Sequence, residues 1–186
     1  MRRSRKIKVV LALGTLSSAV WASTYATFSD SADATSTFTA GTVDIVVGGD
    51  ASDSYAFTSL QSSNLKPGDV VYAPLSVANP GSLGFSYAMT SSSTNADSKA
   101  LKDTLKLGAK LVANAGACDS GGVGYAASGT TVMAEGAVSG AAISSRSLAA
   151  GGSEVLCFKV ELPSSAGDTL QGATTTTTMT FAATQS

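Results

Sequence analysis

Histidine is absent from this chain altogether, and glutamate occurs only at Glu135, Glu154 and Glu161, in separate segments. A zinc peptidase of the H-E-x-x-H kind needs two imidazoles one helical turn apart with a glutamate base between them. That constellation is excluded. Serine hydrolysis lacks its general base for the same reason, and no G-x-S-x-G occurs. Charged residues make up 13% of the chain and aromatics 6%, with four prolines and one tryptophan. Gly, Ser, Thr and Ala dominate instead, and threonine runs unbroken from Thr174 to Thr178. Such small, weakly charged, β-tolerant composition suits a β-sandwich or an extracellular assembly subunit. Mucin-like disorder fails as a reading, because apolar residues alternate through the same segments. Acidic residues can still hold a hard cation such as calcium, and Asp50-Ala51-Ser52-Asp53 is where to look. The cluster lacks EF-hand spacing and reads as solvated loop. No catalytic, cofactor-binding or metal-binding residue is therefore assigned.

Long hydrophobic runs are missing too, except at the N-terminus. Arg2, Arg3, Arg5, Lys6 and Lys8 precede a largely apolar run from Val9 to Trp21. That is a signal peptide by charge and length, and a short one for a membrane anchor. The residues after Arg2-Arg3 do not support a twin-arginine route. Thr24 and Ala26 flank Tyr25 as small residues do at a cleavage site, so cutting is expected between Ala26 and Thr27. Residues 1–26 then leave, taking five of the 12 basic residues and leaving 160 of 186 residues. The remainder holds 7 Lys+Arg against 13 Asp+Glu, a net charge of −6. An exported acidic domain is expected, with no nucleic acid or anionic membrane surface as partner and no stable membrane anchor after cleavage.

Period-two alternation predicts at least six half-buried strands. Val43, Ile45 and Val47 share one face over Thr42–Val47. Val71, Ala73, Leu75 and Val77 follow the Pro67-Gly68 turn; then come Phe85, Tyr87 and Met89, and Leu105, Leu107, Ala109 and Leu111. Leu156, Phe158, Val160 and Leu162 form a fifth set, and Thr177, Met179, Phe181 and Ala183 a sixth. The fold class is all-β, an antiparallel β-sandwich, with one short helix over Ala96–Thr104 that Asn95 can cap. Pro74 places its strand at a sheet edge or a bulge. Cys118 lies in a Gly-rich loop, and Cys157 on the strand face opposite Leu156 and Phe158. Two cysteines in an exported chain most simply pair, clamping that loop over the sheet's outer face. A reactive thiol or a metal pair is the alternative, and no histidine exists to activate or co-ligate it.

The stretch TYATFSD followed by STFTAGTVDI resembles the N-terminus of TasA/camelysin-family proteins, which are secreted through a dedicated SipW-type signal peptidase. Asn64-Leu65-Lys66-Pro67-Gly68-Asp69, Asn79-Pro80-Gly81-Ser82-Leu83, Gln171-Gly172 and Thr180–Gln185 match in the same order. Roughly 91–150 carries no matching motif. The resemblance implies a jelly-roll-like sandwich over 41–186 and a secreted matrix subunit that polymerises into fibres outside the cell, with itself as partner. Residues 27–40 would be the mobile segment, adding as a donor strand to the next subunit with Phe28 and Phe38 as its buried anchors. The alternative is that Phe28 and Phe38 pack on their own domain. The resemblance also carries a metallopeptidase label, so a secreted camelysin-like peptidase is the runner-up function. A monomeric secreted binding module stands third.

Overall fold

The computed structural model describes residues 36–52, 54–95, 97–119, 125 and 129–185. The chain divides into two compact units, Met1–Thr39 and Ala40–Ser186. Of the first unit, the described residues 36–39 have no regular structure, and Phe38 is 90% exposed.

The second unit is an antiparallel sandwich. Its strands are β1 (Val46–Val47), β2 (Val70–Ala78), β3 (Phe85–Asn95), β4 (Lys106–Val112), β5 (Thr130–Ala137), β6 (Ala142–Leu148), β7 (Ser153–Glu161) and β8 (Thr175–Gln185), with one helical turn, α1 (Leu101–Thr104). One sheet runs β1-β2-β7-β4-β5 and the other β6-β3-β8. Three pairings nest inside one another: β4 with β5, β3 with β6, β2 with β7. That is the order made by folding one long antiparallel ribbon over on itself, the jelly-roll pattern. The alternating residues meet between the sheets. Leu75, Val77, Leu107, Leu156 and Phe158 of one face pack against Phe85, Tyr87, Met89 and Ile143 of the other.

Two sequence motifs act as corners. Asn79 is 1% exposed, and its amide donates to the carbonyls of Leu83, Leu148 and Ala149 while its oxygen accepts from Gly81. A Cβ on Gly81 would stand 2.6 Å from the Thr42 carbonyl, so only glycine fits where the chain crosses between sheets. At the Pro67-Gly68 turn, Gly68 adopts φ +92°, and the Asp69 carboxylate accepts from the Lys66 amide.

Departures from the alternation have local causes. The strand predicted over Thr42–Val47 is only Val46–Val47, because Thr42 bonds instead to Ser82 and Leu83 at the Asn79 corner. The helix predicted over Ala96–Thr104 is only Leu101–Thr104: Ser98 sits at φ +59°, which a right-handed helix cannot contain. Asn95 does accept from the Lys102 amide. Pro74 lies where β2 has β7 on one side and, among the described residues, no partner on the other, since β1 reaches only Val77 and Ala78.

Candidate functional site

The three-stranded sheet ends at β8, whose second edge pairs with nothing among the described residues. A nested ribbon would place one more strand there, the partner of β8 upstream of β2. β1 goes to β2 instead. The consequence shows in burial. On β3 the inward residues Phe85, Tyr87, Met89 and Ser91 are all buried, whereas on β8 the inward residues Thr175, Thr177, Met179, Phe181 and Ala183 are each only half-buried.

A groove of about 1280 Å³ opens along this edge. Every residue from Thr174 to Phe181 lines it, so it follows the backbone edge rather than one face of the strand. Ile45, Val47, Phe57 and Leu60 form much of the opposite wall. Phe57 is fixed there by edge-on contact with Phe158, ring centres 5.7 Å apart. The start of β8 is held by Asp97, whose carboxylate accepts from the backbone amides of Lys99 and Thr174. Those bonds hold the Asp97 carboxyl below its ordinary range.

The opposite edge of the same sheet is built differently. Met89 pairs with Ile143 and Tyr87 with Arg146, so β6 passes three residues where β3 passes two, a bulge. The bulge turns Arg146 inward. Its guanidinium donates twice to Glu154 of β7, at 2.8 and 2.6 Å, and the Tyr87 hydroxyl donates to the same carboxylate. Burial pushes the Glu154 carboxyl up, but the bonds from Arg146 and Tyr87 and the Arg146 charge outweigh it and hold it below its ordinary range. Burial and the bonded carboxylate push the Tyr87 hydroxyl well up. A bulge with an inward charge protects an edge from further pairing. β8 has neither, no proline, and no charged residue in its eleven positions.

On the outer face of the large sheet, Cys118 and Cys157 are joined in a disulfide, with Cα atoms 5.4 Å apart. They centre a second small core with Val112 and Tyr125. Lys110 Nζ lies 4.7 Å from the centre of the Tyr125 ring, and burial beside Glu135 pushes the Tyr125 hydroxyl up to about 12.

A profile of the camelysin metallo-endopeptidase family matches residues 4–114, more than half of the 186-residue chain. The chain belongs to the camelysin family. No curated protein matches it. The family description implies a catalytic metal, so the donors matter. This camelysin-family chain has no histidine, and both cysteines are consumed in the disulfide. Glu154 is engaged by Arg146, while Glu135 and Glu161 flank Lys159 at 2.9 and 2.7 Å. Among the described residues no three His, Cys, Asp or Glu side chains converge. These residues do not fit a peptidase metal.

Of the residues singled out in the sequence, Ala26, Thr27 and Phe28 lie outside the described residues, as does Asp53 of the Asp50 cluster. Asp50 bonds locally to the Ser52 amide. Residue reasoning missed the β8 edge, since a vacancy beside a strand is a property of sheet order and leaves no local mark.

Proposed function

We propose that this protein is an exported structural subunit of an extracellular, biofilm-matrix-type fibre, processed by a SipW-type signal peptidase between Ala26 and Thr27. Subunits join head to tail when Thr27–Phe38 of one copy adds as a strand to the next. One observation carries this reading: an eleven-residue, uncharged sheet edge, unpaired among the described residues, bordered by a groove lined by polar and apolar residues alike, at the place where a nested ribbon would put one more strand. Edges of that kind are templates for pairing with another chain. Head-to-tail contacts that do not close give filaments rather than rings. The exposure of Phe38, at 90%, supports its role as an anchor awaiting a partner. Before cleavage the signal peptide would hold the donor segment at the membrane.

Sedimentation of the intact exported chain and a chain lacking Thr27–Thr37 at matched concentration tests this reading. The truncated chain is expected to stay a folded monomer with a sheet-like circular-dichroism spectrum. Filaments from the truncated chain would overturn strand donation. Its unfolding would show that these residues belong to their own core.

The family description favours a second reading, a secreted camelysin-like metallopeptidase. It predicts chelator-sensitive cleavage of casein, and the scattered, engaged carboxylates and missing histidines weigh against it.

A further inference from the structure

We infer that the donor strand runs antiparallel to β8 with Ala32 beside Phe181 and Ala34 beside Met179, so that donor and acceptor recognise each other by residue size. The inference rests on the strand-donation reading above. Direction follows from topology. Every strand pair described in both sheets is antiparallel, and the nested pairs leave beside β8 the position of an upstream segment running opposite to it.

Pairing position follows from periodicity. In a strand, alternate residues share a face. On the donor that face holds Phe28, Asp30, Ala32, Ala34, Ser36 and Phe38. On β8 the inward residues are the odd-numbered ones from Thr175 to Ala183. An inward face on both strands therefore pairs even donor numbers with odd acceptor numbers. The segment Phe28–Phe38 and β8 each span eleven residues, about 33 Å of strand. Laid end to end, Phe38 falls beside Thr175, Ser36 beside Thr177, Ala34 beside Met179, Ala32 beside Phe181 and Asp30 beside Ala183, with Phe28 at the Gln185 end. The two small donor residues thus meet the two large acceptor residues, and the donor's large residues lie at the ends.

Neighbouring alignments each carry one Phe anchor off the strand. Sliding the donor two residues one way carries Phe38 past Thr175, off the start of β8, and sets Asp30 beside Phe181. Sliding it the other way keeps small residues beside Met179 and Phe181 but carries Phe28 beyond the strand's far end. The hydroxyl pair also has a precedent within the sheet. Ser93 and Thr177 Oγ atoms lie 2.8 Å apart across the β3–β8 pair, so Thr177 already accommodates a serine neighbour.

Disulfide trapping tests the alignment. The Ser36→Cys exported chain is mixed with chains carrying Thr175→Cys, Thr177→Cys, Met179→Cys or Ala183→Cys. Mild oxidation follows, and dimers are read on non-reducing gels. The native pair, at 7% and 0% exposure and already oxidised, stays out of the exchange. Directly opposed positions bring Cβ atoms within disulfide range, so Thr177→Cys is expected to trap about tenfold faster than the other positions. Fastest trapping at Thr175→Cys or Met179→Cys overturns the alignment, and fastest trapping at Ala183→Cys overturns the direction. Filaments with no trapping anywhere on β8 overturn the inference, whereas failure of strand donation itself would appear separately, as filaments from the truncated chain.

Discussion

Glu154 joins the two sheets through a single carboxylate. Arg146 and Tyr87 reach it from the small sheet, and it stands on β7 of the large one. Its side chain is 12% exposed, so the pair is removed from most solvent screening. Because the folded carboxyl is depressed, its contribution is present above the unfolded value, about 4.3, and is lost as pH falls through the lower folded value. Denaturant melts at pH 7 and pH 3 should therefore show the domain losing stability in acid. Glu154→Gln should cost about 2–4 kcal/mol at pH 7, because it leaves the half-buried Arg146 without its counter-charge. The same variant should flatten the acid loss. An acid loss of unchanged size in Glu154→Gln would assign it to other carboxylates.

At the scale of elements, the disulfide fastens the loop after β4 to the outer face of β7, across a separation of 39 residues. Chain-entropy reasoning assigns such a crosslink about 4 kcal/mol. Cys118→Ser/Cys157→Ser should melt earlier by that order and keep its sheet spectrum, since the main core lies on the other side of the sheet. Loss of the sheet signal would show that the outer cluster is needed for the fold. The two edges of the small sheet, unpaired among the described residues, make a second comparison. β6 carries an inward Arg146 and a bulge; β8 carries neither. Thr177→Lys would give β8 an inward charge of the same kind, and should yield a folded monomer that no longer accepts a donor. Filaments from Thr177→Lys would exclude β8 as the acceptor edge.

Which elements the sequence revealed depended on those same irregularities. β2, β3, β4, β7 and β8 are legible because their alternation runs unbroken along the core face. β6 is not, since its bulge brings Ile143, Arg146 and Leu148 to one face at spacings of three and two. β5 is hidden likewise: Ala109 pairs with Met133 and Leu107 with Gly136, three residues passing where β4 passes two. The apparent strand at Thr42–Val47 failed in the opposite way, its period intact but its backbone bonds claimed by the Asn79 corner. The even spacing of Phe28, Ala32, Ala34 and Phe38 is local and can be read directly. The open edge of β8 cannot, because no single segment encodes the strand order β6-β3-β8.

For the whole molecule, charge and assembly pull against each other. The exported chain would carry 7 basic against 13 acidic residues, so identical subunits repel as they approach. The proposed joint contains little charge to offset this: β8 has none, and the donor segment contributes only Asp30 and Asp33, both acidic. Attraction must come from backbone bonds along the edge and from buried apolar anchors, each fully buried Phe stabilising by about 2–3 kcal/mol. Raising salt from about 10 mM to about 150 mM shortens the Debye length from about 30 Å to about 8 Å, which weakens the repulsion and leaves those short-range contacts intact. Assembly followed by light scattering should therefore speed up with salt, and finished fibres should persist when salt is raised further. Fibres that dissolve in salt would show that ion pairs hold the subunits together, and the strand-and-anchor joint would then be wrong.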